Sequence, residues 1–196
     1  MTLSTDLFGP SPAPAQVIRK HYATEIAVER TRLLYQGSLL PTLLMLVNGL
    51  VCAWLLWNPN QYLLDSVWLL WLLALVAMRV IQVAAFDSAM PSRQAQPVWR
   101  RMFMLGSAVS GLTLSVAAIA LVPTDSFMHQ AWVFGLIGAA SLSASVAYVV
   151  NLWAFLSFAL PCLLPAIVYL FWNGTPQQQG WGVLGLILLA SLSLVA

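Results

Sequence analysis

The sequence predicts an all-α protein, a polytopic membrane bundle of about six transmembrane helices behind an N-terminal amphipathic juxtamembrane helix. Three observations predict it. The 196 residues are 61% hydrophobic and only 7% charged, with a mean hydropathy of +0.85, whereas soluble domains carry roughly 25% charged residues. The apolar residues run in stretches of about 20, the length that crosses about 30 Å of hydrocarbon at about 1.5 Å per residue. Turn-forming residues punctuate those stretches. A water-soluble enzyme of 21.4 kDa is excluded, because too few polar side chains exist to cover it. A net charge of +2 gives too weak a field for a nucleic-acid binder, and two cysteines cannot staple a disulfide scaffold.

Residues 1–15 form a flexible tail. Pro10, Pro12 and Pro14 stand where a signal peptide needs an apolar stretch. Residues 16–37 turn helical as a cytoplasmic juxtamembrane helix. Ile18, Tyr22, Ile26 and Leu33 share a face, and Arg19, Lys20, Glu25, Glu29, Arg30 and Arg32 take the rest. Such a helix either lies on anionic headgroups or is solvated beside them. The six-span membrane module occupies 38–196. Span one covers Ser38 to Trp57 and stops at Asn58-Pro59-Asn60; span two covers Asp65 to Ala85; span three covers Met102 to Val122 and stops at Pro123. Span four covers His129 to Val150, and span five covers Trp153 to Trp172, ending in Asn173-Gly174-Thr175-Pro176. Span six begins near Trp181 and is still apolar at Ala196. At about 24 Å it barely crosses a bilayer, so the natural chain is expected to continue past 196.

All eight basic residues precede span one or surround the connection between spans two and three. The positive-inside rule therefore places the N-terminus in the cytoplasm, and six spans return the C-terminus to the same side. Trp57, Trp68, Trp132, Trp172 and Trp181 fall at outer span ends and Trp99 and Trp153 at inner ends, as indoles favour headgroup boundaries.

Few residues point to chemistry. No carboxylate lies near the middle of a span; Arg79 is the deepest charge, about two turns from the inner end of span two. It reads as an inner-face anchor with Arg100 and Arg101, snorkelling to the headgroups, or as half of a buried ion pair. His21 and His129 sit on opposite sides, and Cys52 and Cys162 are isolated, so no metal or haem ligation is expected. No catalytic motif and no cofactor-binding motif occurs.

Packing signals are clearer. Ala131, Gly135, Ala139, Ser143 and Ala147 recur every four residues in span four, and Ser107, Gly111 and Ser115 do so in span three. Small stripes let backbones approach in lipid, here as a seam within the bundle or as a dimer interface. Pro161 and Pro165 share a face of span five and orphan the carbonyls of Ser157 and Pro161, predicting a kink that is either a static wedge or a hinge. Trp54, Trp71, His129, Trp132, Tyr169 and Trp172 gather towards the outer half, either as a ligand pocket or as interfacial anchors.

The ordered residues resemble the six-helix N-terminal membrane module found ahead of GGDEF-type diguanylate cyclase domains and hybrid sensor histidine kinases in proteobacteria. The resemblance rests on Glu29 to Tyr35 (ERTRLLY), Asn48, Arg79, Trp99-Arg100-Arg101 with Phe103, Gly106 and Gly111, the Gly/Ala run from Gly135, and Phe158 to Pro165 (FALPCLLP). It covers roughly Ile18 to Ala196 and departs after Gly111, where Thr113-Leu114 stands in place of an aromatic. It implies a sensory input module in a bacterial inner membrane. An unknown small-molecule or lipid stimulus would alter helix packing and so the pairing of cytoplasmic output domains in a homodimer. The lipid bilayer is the expected partner, no nucleic acid is expected, and no cofactor is expected within this segment. A small-molecule transporter or channel subunit is the competing expectation; it calls for a polar path and discontinuous helices.

Overall fold

The computed structural model describes residues 14–89, 91–92, 94–122, 127–149 and 151–195. Most of the predicted tail, together with Arg93, Pro123 and Asp125, lies outside the described residues, as do the side chains of Ile18, Arg19, Lys20 and His21. Seven α-helices follow one another: α1 (Pro14–Gly37), α2 (Leu39–Leu56), α3 (Tyr62–Ala89), α4 (Gln96–Val116), α5 (Phe127–Ala147), α6 (Leu152–Asn173) and α7 (Pro176–Val195). A π-helical turn, Ala117–Leu121, closes α4. Six helical stretches are long and apolar enough to cross a membrane, the first of them running from α1 into α2. The protein is a membrane-spanning helical bundle.

Local chemistry sets the helix ends. Pro41 has no N–H to offer Gly37, so the chain tightens at Ser38 between α1 and α2; there Ser38 Oγ donates to Tyr35 O (2.8 Å) and Thr42 Oγ1 donates to Ser38 O (2.7 Å). At the opposite end of α2, the Asn58 N–H donates to Asp65 Oδ2 (3.0 Å) and ties the turn to α3. Asn151 caps α6 by accepting from the Trp153 N–H. Before α7, the Gln178 side chain accepts from the Thr175 N–H (2.7 Å), and the Thr175 hydroxyl faces the Gln178 N–H at 3.5 Å, with Pro176 opening the helix. This cap starts α7 five residues before the predicted Trp181. The helix is therefore 20 residues long, about 30 Å, a full crossing.

The helix α4 is the most buried of the six spans and α7 the least. The largest interface joins α4 to α6, α7 packs on α6, and α2 packs on both α3 and α5. Gly111 explains the first pairing: a Cβ there would lie 2.2 Å from the Phe158 carbonyl oxygen, so α4 and α6 meet backbone to backbone. Ser107 and Ser115 are buried along the same face. Polar side chains inside the bundle are satisfied largely by their own helices; the hydroxyls of Ser110 and Thr113 donate to the carbonyls of Gly106 and Val109, each at 2.8 Å.

The small-residue stripe of span four is not the seam within the bundle, which corrects one of its two expected roles. Gly135 and Ala139 are exposed, and Ala131, Ser143 and Ala147 are only half-buried. The helix instead buries Val133, Ile137, Ala140, Ala144 and Tyr148. These lie on the opposite side of α5 because larger side chains fill the centre of the bundle. Helix α6 is continuous through Pro161 and Pro165, and the Ser157 hydroxyl turns back on the Ala154 carbonyl (2.8 Å).

Gly111 and Gly135 make opposite predictions. Gly111→Ala forces α4 off α6 and is expected to destabilise the protein by about 1–3 kcal/mol. Gly135, which would meet nothing within 4 Å, is expected to gain up to about 1 kcal/mol on replacement by Ala. Thermal unfolding in detergent measures both, and equal shifts would contradict the packing.

Candidate functional site

Arg79 lies ten residues before the end of α3, about 15 Å along the helix. It is 3% exposed, so it does not snorkel, and the expected anchoring role is a correction. Nor is it half of an ion pair: among the described residues its hydrogen-bond partners are neutral. Nη1 donates to Gln82 Oε1 (3.0 Å) and the Phe103 carbonyl (3.3 Å), and Nη2 donates to Ser107 Oγ (3.3 Å). Tyr148, just past the end of α5, lies beside Ser107 and Arg79. The guanidinium carbon also sits 4.7 Å over the Phe103 ring, a cation–π contact. Gly106 makes the room; a Cβ there would stand 2.7 Å from Nη1.

The network continues to α1. Because Gln82 Oε1 faces the guanidinium, its amide group points to Tyr35, and Nε2 donates to the Tyr35 hydroxyl (3.3 Å). That hydroxyl in turn donates to the Trp99 carbonyl (2.9 Å). The Tyr35 ring stacks on Phe86 with centroids 4.0 Å apart and planes 2° from parallel, and meets Trp99 and Phe103 edge-on. Phe103 meets Tyr148 edge-on at 5.3 Å. Residues of α1, α3 and α4, with Tyr148 just past α5, therefore share one continuous set of contacts near the bundle end that carries Arg100 and Arg101, both exposed there. Helix α1 docks through Thr31, Leu34 and Tyr35, all buried. Tyr22, Ile26 and Leu33, from the predicted apolar face, are exposed on the other side.

At the opposite end, the indoles of Trp68 and Trp71 in α3 both reach Thr113 in α4. Trp68 Nε1 donates to the Thr113 carbonyl and Trp71 Nε1 to its hydroxyl, each at 3.0 Å. The six aromatic and histidine residues expected to converge do not form one site. Trp54 and Trp172 are 78% and 86% exposed and Trp132 is exposed, so they face the surroundings of the bundle; Trp71 is held by Thr113, and His129 and Tyr169 are half-buried. Among the described residues no group of three His, Cys, Asp or Glu side chains could hold a metal ion.

The arrangement around Arg79 offers hydrogen-bond donors and a fixed positive charge in a low-dielectric interior. It can hold helices in register or attract negative charge. Sequence reasoning singled out Arg79 but missed Tyr35, Gln82, Phe103 and Tyr148 as its company. One signal was available: Gln82, polar in an otherwise apolar run, lies three residues from Arg79 and so on the same helix face. No protein-family model, curated protein sequence or solved structure matches the chain.

Two hydroxyl deletions test these contacts. Tyr35→Phe removes the donor to Trp99 and the acceptor for Gln82, and Thr113→Val removes the acceptor for Trp71. Each is expected to cost about 0.5–2 kcal/mol of stability, read as a fall in the thermal midpoint. No change in either would mean that the hydroxyls are dispensable.

Proposed function

We propose that the chain is the transmembrane input module of a bacterial signal-transduction protein. In this proposal it sits in the inner membrane with both termini in the cytoplasm and works as a homodimer. It relays a membrane or periplasmic stimulus to a C-terminal cytoplasmic output domain, a diguanylate cyclase or a histidine kinase.

The observation that carries the proposal is the Arg79 network. It links α1, α3 and α4 through one set of hydrogen bonds, and Phe103 meets Tyr148 just past α5 edge-on, so a displacement of one helix is felt by the others. A polar network with few satisfied arrangements suits a device that holds discrete states. The family resemblance in Glu29–Tyr35, Trp99–Phe103 and Phe158–Pro165 supports the same role. The basic residues near the α3–α4 connection, with Arg100 and Arg101 exposed, support the cytoplasmic assignment of that side.

Two experiments test it. With the chain fused to a diguanylate cyclase reporter, Tyr35→Phe and Gln82→Leu are expected to change cyclic-di-GMP output by about fivefold or more at equal membrane levels. Unchanged output would end the relay proposal. For orientation, Asn60→Cys is expected to react with an impermeant maleimide in intact cells, and Gln94→Cys only after permeabilisation. Both positions are exposed, whereas Cys52 and Cys162 are buried and add little background. The reverse pattern would invert the topology.

A further inference from the structure

We propose that the bundle binds one small monovalent anion, of halide size, beside Arg79. A cavity of about 20 Å³ opens there, where α2, α3, α4, α5 and α6 meet. Thr42, Arg79, Ser110 and Tyr148 are its polar neighbours, and Ala144 and Phe158 are among its apolar ones. One water needs about 10–15 Å³, so the space suits a single particle of that order.

The charge of Arg79, and not the hydroxyls, favours an anion. Thr42 and Ser110 spend their hydroxyl protons on the Ser38 and Gly106 carbonyls of their own helices. The guanidinium has five N–H groups, and Gln82, Phe103 and Ser107 engage three of them. A buried cation whose partners are all neutral dipoles stabilises an anion placed next to it far more than the same pair would interact in water. The inference does not depend on the signalling proposal, because it concerns binding alone.

The test uses the full chain in nanodiscs at constant ionic strength, with sodium gluconate replaced stepwise by sodium chloride or bromide. A saturable rise in the thermal midpoint of about 2–4 °C is expected. Arg79→Gln is expected to abolish it. Since that variant removes a structural hub, Ala144→Val provides the second arm: it fills the cavity, leaves the charge in place and is expected to abolish the rise as well. Broadening of the chloride-35 resonance by the wild-type protein, reversed by bromide and lost in Ala144→Val, is the expected spectroscopic counterpart. Equal midpoints in chloride and gluconate would show that only water fits the cavity and would overturn the proposal. So would a halide effect undiminished in Ala144→Val.

Discussion

A permanent charge that cannot reach water shapes much of this bundle. Placing an arginine near the middle of a membrane helix costs about 2.5–3.5 kcal/mol on insertion scales, and more without relief. Arg79 obtains that relief from neutral dipoles and a ring face rather than from a carboxylate. Each compensating group comes with a structural demand. The Phe103 carbonyl and the Ser107 hydroxyl must face α3, which fixes the rotation of α4. The guanidinium needs space, which forces glycine at 106. Gln82 must orient its amide, which gives Tyr35 a donor and draws the end of α1 onto the bundle. An interaction that begins as electrostatic compensation thus sets helix register over several elements.

Much of the fold was legible because lipid simplifies the problem. Every backbone group of a spanning segment must be bonded within the segment, so apolar length alone locates the helices. Their ends were less legible, because they depend on individual side chains. Thr175 and Gln178 start α7 in a polar stretch that hydropathy assigns to a loop. The fate of Arg79 was illegible for a different reason. Its distance from the helix end allows a side chain to snorkel along the helix or to turn inward, and only the neighbouring helices decide. Span four carries an all-small row through Gly135 and Ala139 and, beside it, a mixed row in which Ala140 and Ala144 lie between Leu136 and Tyr148; small size alone does not say which is buried, and it is the second. The bulky Val133, Ile137 and Tyr148 on that side make the difference, since they fill the centre while the small residues between them admit α2 and α6.

Thr113 shows how one small hydroxyl organises two neighbouring indoles. The resemblance led to the expectation of an aromatic side chain near this point of α4. The structure places a small hydroxyl there and brings in the indoles of Trp68 and Trp71 from α3. The aromatic mass in this layer comes from the neighbouring helix. The threonine supplies the acceptors that two indole N–H groups need in an apolar setting.

These contacts together make α4 the spine of the molecule. Near one end it holds the indoles of α3 through Thr113; near the other it holds Arg79 through Phe103 and Ser107, and Tyr35 through the Trp99 carbonyl. Between them, Gly111 rests against the backbone of α6 with no side chain to cushion the contact. Sliding α4 along its axis would break both sets of polar contacts at once, and rotating it would drive its side chains into the Phe158 carbonyl. The helix is therefore constrained to move as a unit with α3 and α6. The π-helical turn at Ala117–Leu121 follows these layers and buries Ala117, Ala118 and Leu121 against the bundle. An over-wide turn there alters the helix register towards the following connection without disturbing the Thr113, Gly111 or Arg79 layers. The geometry of α4 is thus regular through its polar layers and irregular only in the buried turn that follows them.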